Sequence, residues 1–446
     1  MEPAARFTYE IEVDAPLDTL SATLCFADMP PRWLIPGLAG GQRWLRGAPT
    51  RLRAGQAAPL RVSARGIELP ASQPGDCVRY RVDLAALAED FGTEAEGPVR
   101  ATRVGEWLWR PPALPTPQAL RVTARFKLPA GLALSCPWPA RGDGGFDVPW
   151  NAFRYRGRVT FGAFERWTLP VAGGRLDVAR LGSRFRTPRA ALDRWLTDAG
   201  RAAATIYGRL PVPAIQVTLV GDGGDDVGFG GTQRGGGPGV ILYVGVDVTP
   251  AALDTDWTAA HELLHLGMPP VDRADAWLSE GIVTYLAYVA LTRIGHRTPE
   301  ALFEELAAGF GRGRLFGTGR PLGAESAAMY QTYAFWRVYW GGAAWALQRD
   351  IELRRAGSSL DAAMRLWQRQ ALAPGPTRPA ADLLRAADRG LDGRFTTTAE
   401  AALARVDFPD MEPFFAGLGV RFNGRRAQFE PAPDAAIRDA LTAPAR

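Results

Sequence analysis

Two of the three histidines in the 446-residue chain lie four residues apart, in the stretch His261-Glu262-Leu263-Leu264-His265. On a helix, residues at this spacing share one face, so both imidazoles can bind one metal ion while Glu262 reaches a water molecule on that ion. A catalytic zinc ion takes three protein ligands and leaves its fourth position open. Glu280, in the segment Trp277-Leu278-Ser279-Glu280-Gly281, is the expected third ligand. The pattern predicts one Zn²⁺ per chain and hydrolysis by a metal-activated water.

Chance is the alternative explanation for this pattern. Because histidine is rare in this chain, an H-E-x-x-H pattern would arise by chance on the order of once in a thousand chains of this length. A degenerate site that binds zinc without turnover is a second alternative. A lone glutamate is usually solvated, but the apolar neighbours of Glu280 favour a carboxylate that has a partner.

The elements that must position these residues differ between the two parts of the chain. Short strand-like runs separated by proline and glycine predict an all-β region from about residue 7 to residue 168, in the form of a sandwich. Thr187-Pro188 begins a predicted helix that ends at Gly208. Predicted strands follow at residues 215–220 and 240–244, and the glycine-rich segment between them is expected to be a loop.

After Pro250 the remainder of the chain is predicted to be largely helical. The helix that carries His261 is expected to run from Asp254 or Thr255 to Leu266, because Gly267 and the prolines after it stop a helix. The helix that carries Glu280 is expected to end near Gly295. Further helices are predicted from Pro299, over residues 335–355, and after Ser359, Pro379 and Thr397.

Four local features resemble the gluzincin metallopeptidases, and most closely the glycyl aminopeptidase family of the aminopeptidase N-like superfamily. They are Ile206-Tyr207-Gly208-Arg209-Leu210-Pro211 before a strand, the H-E-L-L-H helix, W-L-S-E-G with Glu280, and Tyr339-Trp340-Gly341-Gly342 opening a helix. The resemblance covers roughly residues 188–419. The sequence departs from the family's pattern in two respects. Fourteen residues separate His265 from Glu280, fewer than the family usually has, and a PDZ-like module is lacking.

The resemblance implies further residues of an active site. Tyr339 matches the tyrosine of the family's Y-x-K-G helix, which assists the transition state, although Gly341 stands at the lysine position. Tyr339 is therefore the expected oxyanion donor beside the general base Glu262. Tyr333 is the substitute if Tyr339 proves to be a core residue. Thr284, one turn beyond Glu280, is a candidate to orient an imidazole.

The glycine-rich segment resembles the G-x-x-E segment with which related aminopeptidases bind the free α-amine of a substrate. By this match Gly230, Gly231 and Gln233 are the candidate substrate-binding residues. Gln233 brings no negative charge, so a substrate ammonium is expected to be held less strongly unless Asp225 or Asp226 substitutes. The peptide is expected to lie along the edge of the strand at residues 240–244.

Composition narrows the classes of protein. A net charge of +5 with scattered arginines gives no basic stripe for nucleic acid, and no apolar run is long enough to span a membrane. No signal peptide is expected in the sequence as given, so the compartment is periplasmic or secreted if a leader was removed and cytoplasmic otherwise. Cys25, Cys77 and Cys136 are expected to be buried free thiols.

The sequence therefore predicts a multidomain α+β chain. A β-sandwich domain is expected over residues 1–175, a thermolysin-like catalytic domain with a small mixed sheet and a helical lobe over residues 176–420, and a C-terminal extension over residues 421–446. The predicted function is that of a zinc metallopeptidase, aminopeptidase-like, acting on peptide or protein substrates. The alternatives are a non-catalytic zinc- or peptide-binding protein and an ester or epoxide hydrolase on the same scaffold. No feature of the sequence defines an oligomeric state.

Overall fold

The computed structural model describes residues 5–88, 99–153, 157–182, 185–234, 236–371, 377–391 and 393–444. Contacts between Cα atoms divide the chain into two compact units. Unit 1 comprises Met1–Leu169, Leu176–Thr187 and Ala214–Val248, and unit 2 comprises Pro170–Arg175, Pro188–Pro213 and Thr249–Arg446. The domain boundaries at residues 175 and 420 stay predictions.

Unit 1 contains three sheets that precede residue 163. Strand Thr19–Phe26 shows why they form, because its side chains alternate between half-buried and buried positions as its apolar pattern predicts. The first sheet has the spatial order Phe146–Asp147, Leu120–Lys127, Ala5–Val13, Thr19–Phe26, Cys77–Asp83, Thr50–Arg53, Gln56–Pro59. The second has the order Trp109–Arg110, Trp33–Pro36, Gly66–Glu68, Val62–Ser63, and the third has the order Ala133–Ser135, Arg158–Gly162, Val99–Arg103.

A disulfide joins two neighbouring strands of the first sheet. Cys25 and Cys77 face each other in the antiparallel pairing of Thr19–Phe26 with Cys77–Asp83, and their sulfur atoms are bonded. The prediction of three free thiols is therefore wrong for this pair. Cys136 is free. The two bonded cysteines are 52 residues apart in sequence, so only the strand register brings them together.

A five-stranded mixed sheet follows, in the order Glu165–Val171, Gly174–Leu181, Ala214–Asp222, Gly239–Gly245, Val227–Gln233. Strand Gly239–Gly245 is parallel to Ala214–Asp222 on one side and antiparallel to Val227–Gln233 on the other. The prediction that a peptide lies along the edge of residues 240–244 is therefore wrong, because both edges of that strand are already paired. The strand at the sheet edge is Val227–Gln233, from the segment that was expected to be a loop.

Unit 2 is mainly helical, as predicted after Pro250. A predicted helix ends as expected at Gly208, whose φ of 79° is left-handed. Thr298 accepts a hydrogen bond from the Ala301 amide and so caps the helix that Pro299 begins. The helices are Arg189–Tyr207, Pro250–Thr255, Thr258–His265, Ala276–Arg293, Pro299–Leu315, Leu322–Thr332, Phe335–Arg355, Leu360–Ala371, Ala380–Gly390, Phe395–Leu403, Glu412–Gly417 and Ala435–Thr442. One hairpin, which the sequence did not predict, pairs Val420–Asn423 with Arg426–Phe429.

The helix that carries both histidines is shorter than predicted. The expected continuous helix is broken at Asp256, where the backbone is extended, into Pro250–Thr255 and Thr258–His265. The Asp256 carboxylate accepts hydrogen bonds from the Ala259 amide at 3.2 Å and from the Trp195 indole at 2.9 Å. The side chain of Asp256 thus begins the second helix, named here the His261 helix.

Two further helices complete the frame of the site, and they approach each other at glycines. They are Ala276–Arg293, named the Glu280 helix, and Phe335–Arg355, named the Tyr339 helix. A Cβ atom on Gly281 would lie 2.3 Å from the Gly342 Cα atom, and a Cβ on Gly342 would lie 2.1 Å from the Trp277 carbonyl oxygen. The two backbones can be this close only because both positions lack a side chain. Within the described ranges, no helix is both long enough and apolar enough to cross a membrane.

Candidate metal centre

Three side chains converge between the His261 helix and the Glu280 helix. The Nε2 atoms of His261 and His265 are 3.0 Å apart, and the Glu280 Oε2 atom is 3.2 Å from each of them. Both histidines are buried and Glu280 is half-buried. In the part of the chain that the structure describes, these are the residues grouped so that three potential ligand atoms could hold one metal ion.

The spacing of these three atoms fits a zinc ion. Tetrahedral zinc with ligand bonds of about 2.0–2.1 Å separates its ligand atoms by about 3.3 Å, close to the three distances in the structure. Two neutral imidazoles and one carboxylate place three electron pairs at this point, and one shared proton cannot satisfy all of them. A divalent cation can, so His261, His265 and Glu280 would hold the metal.

The surroundings keep Glu280 ionised. Burial raises the pKa of its carboxyl, but electrostatic interaction and hydrogen bonds with His265 and His261 outweigh burial and hold that pKa well below its usual range. A carboxylate is the form of this group that binds a metal ion.

Helix ends and aromatic rings hold the His261 helix and its imidazole in place. The Tyr207 hydroxyl donates to the Leu264 carbonyl at 2.8 Å, and a Cβ on Gly267 would lie 2.2 Å from the Tyr207 ring. The Trp257 ring meets the His261 ring edge-on, with centroids 4.9 Å apart. The contact explains why a tyrosine stands at position 207 in Ile206-Tyr207-Gly208 and why a glycine stands at position 267 in Leu266-Gly267.

Thr284, the candidate to orient an imidazole, makes no hydrogen bond to one among the described residues. It is fully buried, but its hydroxyl has no hydrogen-bond partner among the described residues, and neither has the Nδ1 atom of His261. Besides Glu280 and His265, the rings of Trp257 and Tyr339 contact the imidazole of His261. The Tyr339 ring lies parallel to that of His261, with an angle of 9° and 6.1 Å between centroids.

Tyr339 presents a protonated phenol to the carboxylates of the site. Burial raises its pKa well above 10, and the nearby charges of Glu280 and Glu262 raise it further. Glu262 is itself buried, with 7% of its surface exposed. Tyr333, the substitute, is 76% exposed and ends helix Leu322–Thr332 in a left-handed conformation. The structure therefore places Tyr339 beside the candidate metal ligand His261.

A second tyrosine, to which sequence analysis gave no role, lies near the same carboxylates. Burial raises the pKa of Tyr330, and the charges of Glu280 and Glu262 add to this effect while Arg273 opposes it. The Arg273 guanidinium lies 3.8 Å from the centroid of the Tyr330 ring. No spacing rule connects residue 330 with residues 262 and 280, so only the fold could reveal this proximity.

The predicted substrate-binding residues lie on the edge strand Val227–Gln233 of unit 1. Gly230 pairs with Leu242, Gly231 with Ile241, and Gln233 with Gly239. Gly230 is buried, whereas Gly231 and Gln233 are half-buried. Their role in binding substrate stays a prediction.

No protein-family model and no curated protein matches this sequence. Solved structures match its fold over nearly the whole chain. An aminopeptidase N family protein from Idiomarina loihiensis has a TM-score of 0.65 at 14% identity, covering 93% of this chain and 78% of that one. An M1 zinc metallopeptidase from Deinococcus radiodurans has a TM-score of 0.54 at 17% identity, covering 92% of this chain and 94% of that one. A mutant of the latter protein bound to a Tyr-Ser-Ala substrate matches with a TM-score of 0.54 at 16% identity, with coverage of 92% and 95%.

Proposed function

We propose that this chain, which has the fold of the M1 zinc metallopeptidases, is a zinc-dependent peptidase of the aminopeptidase type. The observation that carries the proposal is the triangle of His261, His265 and Glu280 atoms with sides of 3.0–3.2 Å. Glu262 directly follows His261, the first of these ligands, in sequence. The ring of Tyr339 stacks on the ring of His261. A protein that merely stored zinc would have no use for these two flanking groups.

The roles of the two flanking residues follow from their chemistry. Zinc, when bound, lowers the pKa of water towards neutrality and polarises a carbonyl group. Glu262 accepts the proton of the attacking water and delivers it to the leaving amine. Tyr339 donates a hydrogen bond to the oxygen on which negative charge develops, and one such donor contributes about 3 kcal/mol.

The test of this function is the variant Glu262→Gln. The amide keeps the shape of the side chain but cannot accept the proton, so the variant should retain one zinc ion and lose at least a hundredfold in kcat, as roughly expected for general-base catalysis. Zinc content by elemental analysis and turnover of fluorogenic peptides measure the two effects. The double variant His261→Ala, His265→Ala is the control that should lose the metal. Activity within a few fold of wild type in Glu262→Gln would contradict the proposed base.

We further propose that this enzyme prefers a free amino end less strongly than aminopeptidases with a glutamate at the corresponding position. A neutral Gln233 offers an ammonium only an uncharged acceptor, and charge-assisted hydrogen bonds are roughly twice as strong. The half-buried setting of Gln233 at the end of an edge strand supports a role in binding rather than in the core. The tripeptide bound by the Deinococcus relative supports peptides as the substrate class.

The measurement compares kcat/KM for matched peptides with free and acetylated amino ends. Wild type should accept both within about tenfold, and Gln233→Glu should raise the ratio in favour of the free amine by about tenfold. Thr232→Ser, a change next to it that adds no charge, is the control. A strong wild-type preference for the free amine that Gln233→Glu leaves unaltered would be inconsistent with this assignment.

A further inference from the structure

The short connection between the His261 helix and the Glu280 helix is firmly held. It ends in the helical turn Arg273–Asp275, directly before the Glu280 helix. The buried Ser326 hydroxyl, on helix Leu322–Thr332, donates to the Ala274 carbonyl at 2.7 Å and accepts from the Trp277 amide at 3.1 Å. The turn is therefore fixed against that helix, and its first side chain is presented from an ordered backbone.

That first side chain, Arg273, carries a charge that no carboxylate of the described chain pairs with. Its two acidic neighbours bind elsewhere, because Asp272 accepts from the Thr377 hydroxyl and Asp275 accepts from the Ala380 amide at 2.7 Å. The Arg273 side chain is exposed, and its guanidinium forms no hydrogen bond or ion pair with any residue that the structure describes. Its N–H donors are thus available to an external acceptor.

The ring of Tyr330 supports this guanidinium. The guanidinium carbon of Arg273 lies 3.8 Å from the centroid of the ring, and Tyr330 is itself 40% exposed. A cation is attracted to the face of an aromatic ring. Stacking occupies the face of the planar guanidinium and leaves its N–H donors, which lie in the plane, free to bind a carboxylate. The contact therefore positions the cation without consuming its donors.

A chain of ring contacts leads from Tyr330 to the metal centre. The centroid of the Phe335 ring lies 5.8 Å from that of Tyr330 and 6.5 Å from that of Tyr339, and the Tyr339 ring lies 6.1 Å from that of His261. An extended peptide spans about 3.3–3.6 Å per residue, so the path of rings from the candidate metal ligand to Arg273 is within the length of a peptide of about six residues or fewer.

Electrostatic effects confirm that Tyr330 lies near the site. Burial raises its pKa, the charges of Glu280 and Glu262 raise it further, and the charge of Arg273 opposes them. Because such interactions weaken with distance, this exposed ring is close both to the two carboxylates of the metal centre and to the cation.

We propose that Arg273 is a specificity-determining residue that binds a carboxylate of the substrate, and that Tyr330 is the positioning residue that holds its guanidinium. This inference rests on the proposed peptidase function and specifies its substrates as short peptides that carry a carboxylate near the scissile bond. A guanidinium binds a carboxylate through two parallel N–H donors, which gives orientation as well as affinity. The carboxylate is either the C-terminus of the peptide or an acidic side chain.

Two pairs of tripeptides test the carboxylate requirement and identify its source. One pair differs only in a free or amidated C-terminus, and the other is amidated and differs only in Glu or Gln at one position. In at least one pair, wild type should favour the carboxylate by about tenfold in kcat/KM, mainly through KM. A preference in the first pair assigns the C-terminus, and one in the second pair assigns an acidic side chain. Equal kcat/KM values within both pairs would overturn the proposal.

The variants assign the preference to Arg273. Arg273→Gln should abolish it, and Arg273→Lys should retain only part of it, because lysine keeps the charge but lacks the planar fork of donors. Arg385→Gln, which removes an exposed arginine paired with Asp382, is the matched control and should keep the wild-type preference. A substrate carboxylate can also bind zinc directly, so a preference that Arg273→Gln leaves unchanged would assign the carboxylate to the metal and overturn the proposal.

The role of Tyr330 is measured by the same ratio of kcat/KM values. Tyr330→Phe keeps the ring under the guanidinium and should keep the preference, whereas Tyr330→Ala removes the ring and should reduce it. A merely structural role would change stability or kcat and leave the ratio unaltered. An unaltered ratio in Tyr330→Ala would therefore overturn the positioning role.

Calorimetric titration of the zinc-loaded Glu262→Gln variant separates this inference from the proposed function, because it measures peptide binding without turnover. The carboxylate member of the preferred pair should bind with a Kd about tenfold lower, and Arg273→Gln in the same background should remove the difference. That result together with a wild type that hydrolyses no peptide would refute the peptidase function but support the carboxylate site. Hydrolysis by wild type together with equal Kd values within both pairs would refute the carboxylate site alone.

Discussion

Tyr339 combines a half-buried ring with a hydroxyl near two carboxylates, and this setting determines its protonation state. Burial raises the pKa of the phenol well above 10, and Glu280 and Glu262 raise it further. These surroundings therefore favour the neutral phenol. Only this form can donate a hydrogen bond to an oxyanion.

Replacing Tyr339, the proposed oxyanion donor, should raise the energy of the transition state without weakening substrate binding. Tyr339→Phe should retain zinc and lower kcat by about a hundredfold with little change in KM, the effect typical of losing one oxyanion donor. Because the pKa of Tyr339 is raised, the wild-type rate should not fall between pH 8 and about pH 10 through loss of its proton. Steady-state kinetics over this pH range checks both statements. Tyr333→Phe, at a residue that is 76% exposed, is the control and should behave as wild type.

The residue types of the metal centre could be predicted because their chemistry and helical spacing are local. His261, His265 and Glu262 lie within one turn of helix, and Glu280 was recognisable from its apolar setting. The proximity of Tyr330 and Arg273 could not be predicted, since it depends on the packing of helix Leu322–Thr332 rather than on any spacing in the sequence. For this reason no role at the site could be predicted for Tyr330 from the sequence.

At the scale of elements, the contact between the Glu280 helix and the Tyr339 helix positions the site. Gly281 and Gly342 face each other with no room for a methyl group, and the residues beside them include a candidate ligand and a candidate oxyanion donor. The distance between the two helices therefore sets the distance between Glu280 and Tyr339. Any side chain added at this contact must push the helices apart.

Gly342→Ala should destabilise the protein by about 1–3 kcal/mol, the usual range for overpacking a core, and should weaken zinc binding. The matched control is Gly311→Ala, on helix Pro299–Leu315, where an added Cβ would meet no atom within 4 Å. That change should stabilise the protein by up to about 1 kcal/mol, because alanine favours a helix over glycine. Urea unfolding and competition with a zinc chelator measure the two effects. Equal stability of the two variants would contradict the role of the helix contact.

Element types were predicted better than element partners. The helix over residues 335–355 has the predicted bounds, because its apolar periodicity is long and regular. The segment Val227–Gln233 was expected to be a loop, since glycine has a low strand propensity. Its pairing with the buried strand Gly239–Gly245 supplies backbone hydrogen bonds that outweigh this propensity, and no local pattern indicates such a partner.

At the scale of the whole chain, the predicted α+β class is confirmed, with β sheets in unit 1 and helices in unit 2. This could be predicted because proline and glycine separate short strands in one part while helical periodicity dominates the other. The disulfide of Cys25 with Cys77 could not, because strand register over 52 residues is a property of the folded sheet.

Reduction of this disulfide should lower the free energy of unfolding by about 4 kcal/mol, since a cross-link over a loop of this length restricts the unfolded chain by roughly that amount. The Tm should therefore fall when dithiothreitol is added. The double variant Cys25→Ala, Cys77→Ala should show a low Tm that the reductant no longer changes, and Cys136→Ser should respond as wild type. A wild-type Tm that is unaffected once thiol titration shows complete reduction would contradict this expectation.

The cross-link between two neighbouring strands also bears on where the protein folds. Glutathione and thioredoxin keep thiols reduced in the cytosol, whereas the periplasm and the extracellular space allow such bonds to form and persist. We propose on this ground that the chain acts outside the cytosol, in the periplasm or as a secreted protein. Free thiols should be trapped by alkylation at the moment of lysis, under denaturing conditions that expose every thiol. Cys136 should then be modified, whereas Cys25 and Cys77 should remain unmodified. Modification of all three cysteines would show that the protein resides in a reducing compartment. The first sheet would then have to be stable without its covalent link.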